Sequence, residues 1–209
     1  MNNFTKLLCG FLYLGLTLVI ASTDTIAQET HKFYLGGGIG LTSMDTGVSG
    51  TTGTAVLDED DTGFKALLGY QLHKNLAIEG FYANLGEASL TGNNGDTFVL
   101  GGTTYQFNAN GSFTIEGSTM GAGVVGIVPV NEMLSPIVKF GLHSWEADAT
   151  VVSSTLGTAT ASDSGTDLFY GIGAQFNINE KIASRAVFER FKFDDVNVDL
   201  ISVSLIFMF

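Results

Sequence analysis

The sequence predicts an all-β protein, an eight-stranded antiparallel transmembrane β-barrel with short periplasmic turns and long extracellular loops. Three features carry the prediction. The final stretch, Val198 to Phe209, alternates with period two and ends on an aromatic. Other stretches of the same character precede it, and the connections between them alternate between tight and long. Short turns on one side and long loops on the other are the outer-membrane pattern.

At the N-terminus, Met1 to Lys6 is short and weakly basic, Leu7 to Ala21 is apolar, and small residues fit cleavage after Ala27 or after Ala21 equally well. This is the form of a secretory signal peptide. The apolar run is short for a membrane-spanning helix, which needs about 20 residues. Residues 1–27 are the expected signal peptide and residues 28–209 the expected outer-membrane barrel domain. Cys9, the single cysteine, leaves with the leader, so the mature chain is expected to hold no disulfide and no thiolate metal site. A formal charge of −12 argues against nucleic acid as a partner. The 27 glycines, spread through strand-like segments, point to tight curvature or close backbone approach.

Eight strand-like stretches follow the leader: Lys32 to Ser43, Thr62 to Leu72, Leu76 to Leu90, Ser112 to Val130, Leu134 to Ala149, Leu168 to Ile178, Ile182 to Phe193 and Val198 to Phe209. Most reach the roughly 9 to 11 residues a tilted strand needs to cross a bilayer. The turns His73-Lys74-Asn75, Asn131-Glu132-Met133 and Asn179-Glu180-Lys181 are tight, whereas Met44 to Asp61, Thr91 to Gly111 and Val151 to Asp167 are long. Asp194 to Asn197 is a short connection on the long-loop side.

Alternation assigns the faces. Phe33, Leu35, Ile39 and Leu41 oppose Tyr34 and Gly36; Phe64 and Leu68 oppose Lys65 and Gln71; Ile78 and Tyr82 oppose Glu79. Val138 and Phe140 oppose Lys139, and Ala186 and Phe188 oppose Arg185 and Glu189. The charges share the face opposite the apolar one. On a lipid-facing surface an Arg or Lys near the midplane costs about 2 to 4 kcal/mol. Lys139 and Arg185 are therefore expected in the lumen, with Glu79 and Glu189 as the available acids. Phe33, Tyr70, Phe176 and Phe209 lie near the periplasmic strand ends, where an aromatic girdle is expected. In the last strand Ile201, Val203, Leu205, Phe207 and Phe209 form one apolar face.

These segments together resemble the OmpA-like transmembrane domain family of eight-stranded outer-membrane barrels. The resemblance rests on Phe33-Tyr34-Leu35-Gly36, Gly69-Tyr70-Gln71, Ala77-Ile78-Glu79-Gly80-Phe81-Tyr82, Lys139-Phe140-Gly141, Gly171-Ile172-Gly173-Ala174-Gln175-Phe176, Ile182-Ala183-Ser184-Arg185 and the terminal strand. It implies an inward Glu79 facing an inward Arg185, with Lys139 and Gln175 at other inward polar positions and Glu189 on the same face. It implies that Leu205, Phe207 and Phe209 form the C-terminal signal read by the barrel-assembly machinery. Gly38 and Val124 stand where the family places an inward lysine, so a smaller interior network is expected. The family's larger members carry a C-terminal peptidoglycan-binding domain, which this sequence is expected to lack.

The resemblance further implies export through the Sec pathway to the outer membrane of a Gram-negative-type bacterium, among lipids and lipopolysaccharide, without enzymatic activity or cofactor. The expected role is structural, in envelope integrity, with loops offered to host or environmental surface ligands. The alternative is a small porin or hydrophobic-solute channel. Gly121-Ala122-Gly123-Val124-Val125-Gly126 matches G-x-G-x-x-G, but a tight turn follows where a nucleotide site needs a helix. Asp58-Glu59-Asp60-Asp61 lacks the glycine and spacing of a calcium loop and is expected to be solvated. His31, His73 and His143 have no metal-ligand spacing, and no nucleophile motif accompanies His143, Ser144 and Asp148.

Overall fold

The computed structural model describes residues 32–209. The expected signal peptide, Cys9 and His31 lie outside the described residues. Twelve strands follow in order: β1 (Lys32–Met44), β2 (Val48–Ser49), β3 (Val56–Asp58), β4 (Asp60–His73), β5 (Leu76–Gly92), β6 (Thr97–Leu100), β7 (Thr103–Gln106), β8 (Gly111–Ile127), β9 (Leu134–Ser153), β10 (Gly157–Asn177), β11 (Ile182–Phe193) and β12 (Val196–Met208). No helix is present among the described residues.

Eight of these strands close an antiparallel barrel. The order runs β5-β4-β1-β12-β11-β10-β9-β8 and returns to β5 through a β5–β8 pairing. The first and last strands meet at the β1–β12 seam, with Tyr34 opposite Met208 and Gly38 opposite Ser204. Closure leaves no edge, the condition that lipid imposes on a sheet, because a backbone group unpaired in hydrocarbon has no water to turn to.

Alternation places the side chains as the sequence orders them. Ile39, Leu41, Leu68, Val138, Leu142, Ile172, Ile201 and Val203 project outward and are more than half exposed, while Ser202 and Ser204 are buried on the other side of β12. Large apolar groups thus face out and polar ones in, the reverse of a soluble barrel.

Two long connections are structured. β2, β6 and β7 form a small separate sheet, and β3 pairs with the outer part of β5. The third, expected as a loop from Val151 to Asp167, is largely a hairpin instead: β9 and β10 pair without interruption from Leu134↔Phe176 to Ser153↔Gly157. Its residues are small or β-branched and hold a ladder well. Beyond the membrane neither face is reserved for lipid, so the apolar alternation that marks a strand fades while the pairing continues. Asp194 and Asp195 connect β11 to β12, with Asp194 at φ 51, a left-handed conformation that Asp tolerates better than most residues.

Candidate functional site

The lumen concentrates the chain's buried charge. Lys65 on β4, Glu79 on β5, Lys139 on β9, and Arg185 and Glu189 on β11 are all buried. Arg185 Nη1 donates to Glu79 Oε2 at 2.5 Å, and Tyr34 Oη donates to the same oxygen at 3.1 Å. Arg185 Nη2 donates to Gln175 Oε1 at 2.8 Å. Lys65 Nζ and Lys139 Nζ both reach Glu189 Oε1, at 2.5 and 3.0 Å, and Lys139 also pairs with Glu79. The structure therefore brings Glu79, Lys139, Gln175, Arg185 and Glu189 into one network and adds Tyr34 and Lys65 to it.

Lys65 joins the network through Glu189, a cation that the expected set did not include. Gly38, which stands where the family places an inward lysine, pairs with Lys65 on the neighbouring strand, so the cation enters from one strand over. Val124 is no inward position at all; its side chain is 47% exposed on the outer face, and Gly123 and Val125 face the lumen. Lys65 also lies 4.2 Å from the centroid of the Phe81 ring, a cation–π contact in a desolvated setting.

Toward the long-loop end an aromatic layer succeeds the ionic one. Phe81, Phe169 and Phe191 contact one another, His143 packs edge-on to Phe191 at 5.3 Å, and Trp145 stacks on Phe193 at 4.8 Å. His143 Nδ1 and Thr119 Oγ1 are hydrogen-bonded at 2.7 Å, and Trp145 Nε1 donates to Asp167. Ser144 points outward to the carbonyl of Gly165, and Asp148 is bound by Ser162, so His143, Ser144 and Asp148 do not converge. Gly121 to Gly126 lies inside β8, with no helix following. Among the described residues no cluster of His, Cys, Asp or Glu has the form of a metal site. Within the acidic run, Glu59 accepts Thr46 and Asp61 accepts the backbone of Glu87.

The C-terminal residues occupy the seam. Leu205, Phe207 and Phe209 project outward. Phe209 N–H donates to the Phe33 carbonyl at 2.9 Å, its ring stacks at 6.4 Å from that of Phe33, and Phe33 contacts Tyr70 at 4.6 Å.

An outward apolar surface around a filled, charged lumen is the signature of a membrane barrel, and comparison with known proteins agrees. The model of the outer membrane protein β-barrel domain matches residues 11–209. The chain belongs to this family. Among solved structures, this barrel is similar to Ail, the attachment invasion locus protein of Yersinia pestis, at 20% identity and a TM-score of 0.55 over 86% of this chain and 99% of that one. The N-terminal β-barrel domain of Pseudomonas aeruginosa OprF aligns at 11% identity and a TM-score of 0.53 over 87% and 100% of the two chains. OprG from the same organism aligns at 11% and 0.51 over 88% and 97%. At these identities the likeness concerns the fold. No curated protein matches the chain. As a member of this family the barrel is an outer-membrane protein, with its tight turns on the periplasmic side and its long hairpins outside.

Proposed function

We propose that this barrel is a closed structural protein of the outer membrane, contributing to envelope integrity and offering its long hairpins to surface ligands. The observation supporting this is the doubly filled lumen: a buried ionic network across the periplasmic half and an aromatic layer above it. A barrel of about eight strands is only wide enough for side chains to fill, and here they do. The leader would direct Sec export, and the assembly machinery would insert the chain among lipids and lipopolysaccharide.

Ail has been crystallised with the heparin analogue sucrose octasulfate. In this chain the outer end carries Asp58, Glu59, Asp60, Asp61, Asp194 and Asp195, while its cations are Arg190 and Lys192 and Arg190 is held by Asp199 at 2.6 Å. That charge repels sulfated polymers and favours neutral or cationic surface ligands. Conductance in planar bilayers tests the closed-barrel reading. Reconstituted protein is expected to give no steady current, and a persistent open channel would favour the porin or hydrophobic-solute alternative.

A further inference from the structure

We propose that the outer end of the barrel contains a dead-end cup that binds a free, neutral, single-chain lipid-like molecule. Between the outer parts of β5, β8 and β9 and the small sheet formed by β2, β6 and β7 lies a cavity of about 600 Å³. Leu90, Phe113 and Val151 line one side, Phe98, Leu100 and Phe107 the other, and none of the lining residues is ionisable. The size falls within the roughly 300 to 1,000 Å³ of small-molecule sites, whose walls are mostly apolar with a few polar groups.

The cavity sits where a void is least expected. Its mouth is open, and the lining residues Leu100, Val151, Val152 and Leu156 are exposed, so apolar walls stand against water, which is unfavourable. Polar hairpins outside a membrane have no need of an apolar interior, yet here three barrel strands extend beyond the seal and a second sheet faces them. A ligand that fills the space removes that apolar surface from water.

Depth and charge narrow its identity. Trp145 stacked on Phe193, with Met44 and Leu85 packed beside Gly117, closes the barrel beneath, so the cup leads to no channel. Gln106, Asn108, Ser112 and Thr155 supply amides and hydroxyls that suit a hydroxyl or amide head group. On the strands that wall it, Glu116 of β8 pairs in register with Asp148 of β9, while the outer cations Arg190 and Lys192 lie on β11, which does not line the cup. Such a field disfavours a carboxylate or phosphate head, and with it the acyl chain of an anionic membrane lipid. The cup goes beyond the closed-barrel reading and, in being a dead end, rests on it.

Calorimetric titration of the protein in phosphatidylcholine nanodiscs at low salt, corrected with empty nanodiscs, tests the cup with decan-1-ol and decanoate. Saturable one-to-one binding of decan-1-ol is expected, with decanoate at least tenfold weaker. Ala109→Trp, in the loop, and Ala88→Leu, on β5, each fill the space and are expected to weaken decan-1-ol binding at least tenfold. Heat-modifiable migration on gels confirms that each variant is folded, and the wild-type comparison of the two probes stands without them. Uptake no greater than that of empty nanodiscs, equal affinity for decanoate, or unchanged binding in folded variants would overturn the proposal. Bilayer conductance bears on the closed barrel separately.

Discussion

Lys65 and Glu189, 124 residues apart in the chain, meet across the lumen with Nζ 2.5 Å from Oε1. Lys139 shares that oxygen, and Arg185 and Lys139 share Glu79, so among the described residues Lys65, Lys139 and Arg185 face only the carboxylates of Glu79 and Glu189. Cations exceed carboxylates in a site removed from water. The consequence is that the two members of the Glu79–Arg185 pair are unequal.

Glu79→Gln leaves three cations around Glu189 alone, and it is expected to cost about 3 to 5 kcal/mol, the range for breaking a buried pair. Arg185→Met leaves matched charges. Its cost is expected to be nearer 1 to 3 kcal/mol, from the hydrogen bonds that Glu79 and Gln175 lose. Urea unfolding in lipid vesicles measures both. The double variant should cost less than the sum, because neighbours couple; strict additivity would show that the pair does not interact.

Tyr34 depends on Gly69, its partner in the β1–β4 register. The phenol ring lies where a Cβ on Gly69 would stand, and this placement lets Tyr34 Oη reach Glu79. Gly69→Ala is expected to destabilise the barrel by about 1 to 3 kcal/mol through overpacking. In a Tyr34→Leu background the same substitution should be close to neutral. An equal cost in both backgrounds would place the strain elsewhere.

How much of this was legible in the sequence follows from what lipid demands. The strand count, the faces and the inward positions of Glu79, Lys139, Arg185 and Glu189 were readable because alternation is strict wherever one face meets hydrocarbon. Lys65 showed itself on the polar face, but its entry into the network depends on the stagger that sets it beside Gly38, and stagger is a property of the closed barrel. The β9–β10 hairpin and the small sheet were not readable. Outside the membrane neither face is reserved for lipid, so Thr150 to Ser162 carries pairing without a strict apolar alternation.

The small sheet has a pH-sensitive lock. Asp96 accepts the backbone of Asn93 at 2.8 Å, the hydroxyl of Thr54 at 2.7 Å and the backbone of Thr54 at 3.2 Å. These donors, that of Asn93 foremost, hold its carboxyl below the usual range of about 3.9. A depressed folded-state value gives stability that is present above the unfolded value and lost as pH falls through the folded one. Protection of the Thr54 and Asn93 amides from hydrogen exchange is expected to hold at pH 6 and to fall below about pH 4. Asp96→Asn should remove the pH dependence, and protection unchanged by acid would remove Asp96 from the lock.

Phe209 ends the closing seam, and a role in assembly can be tested separately from closure. Its N–H bond to Phe33 belongs to the backbone and survives substitution, so Phe209→Ala removes only the ring that stacks at 6.4 Å on Phe33. Loss of an aromatic pair costs about 0.5 to 1.5 kcal/mol, and unfolding of the purified, refolded protein in vesicles should show a change of that size. If Phe209, with Phe207 and Leu205, is also the signal that assembly machinery reads, the yield of folded barrel in the outer membrane should fall at least tenfold while exported, unfolded chain collects in the periplasm. A closure role alone would lower stability without such accumulation. Equal outer-membrane yields for Phe209→Ala and wild type would remove the signal role and leave Phe209 as the aromatic end of the seam.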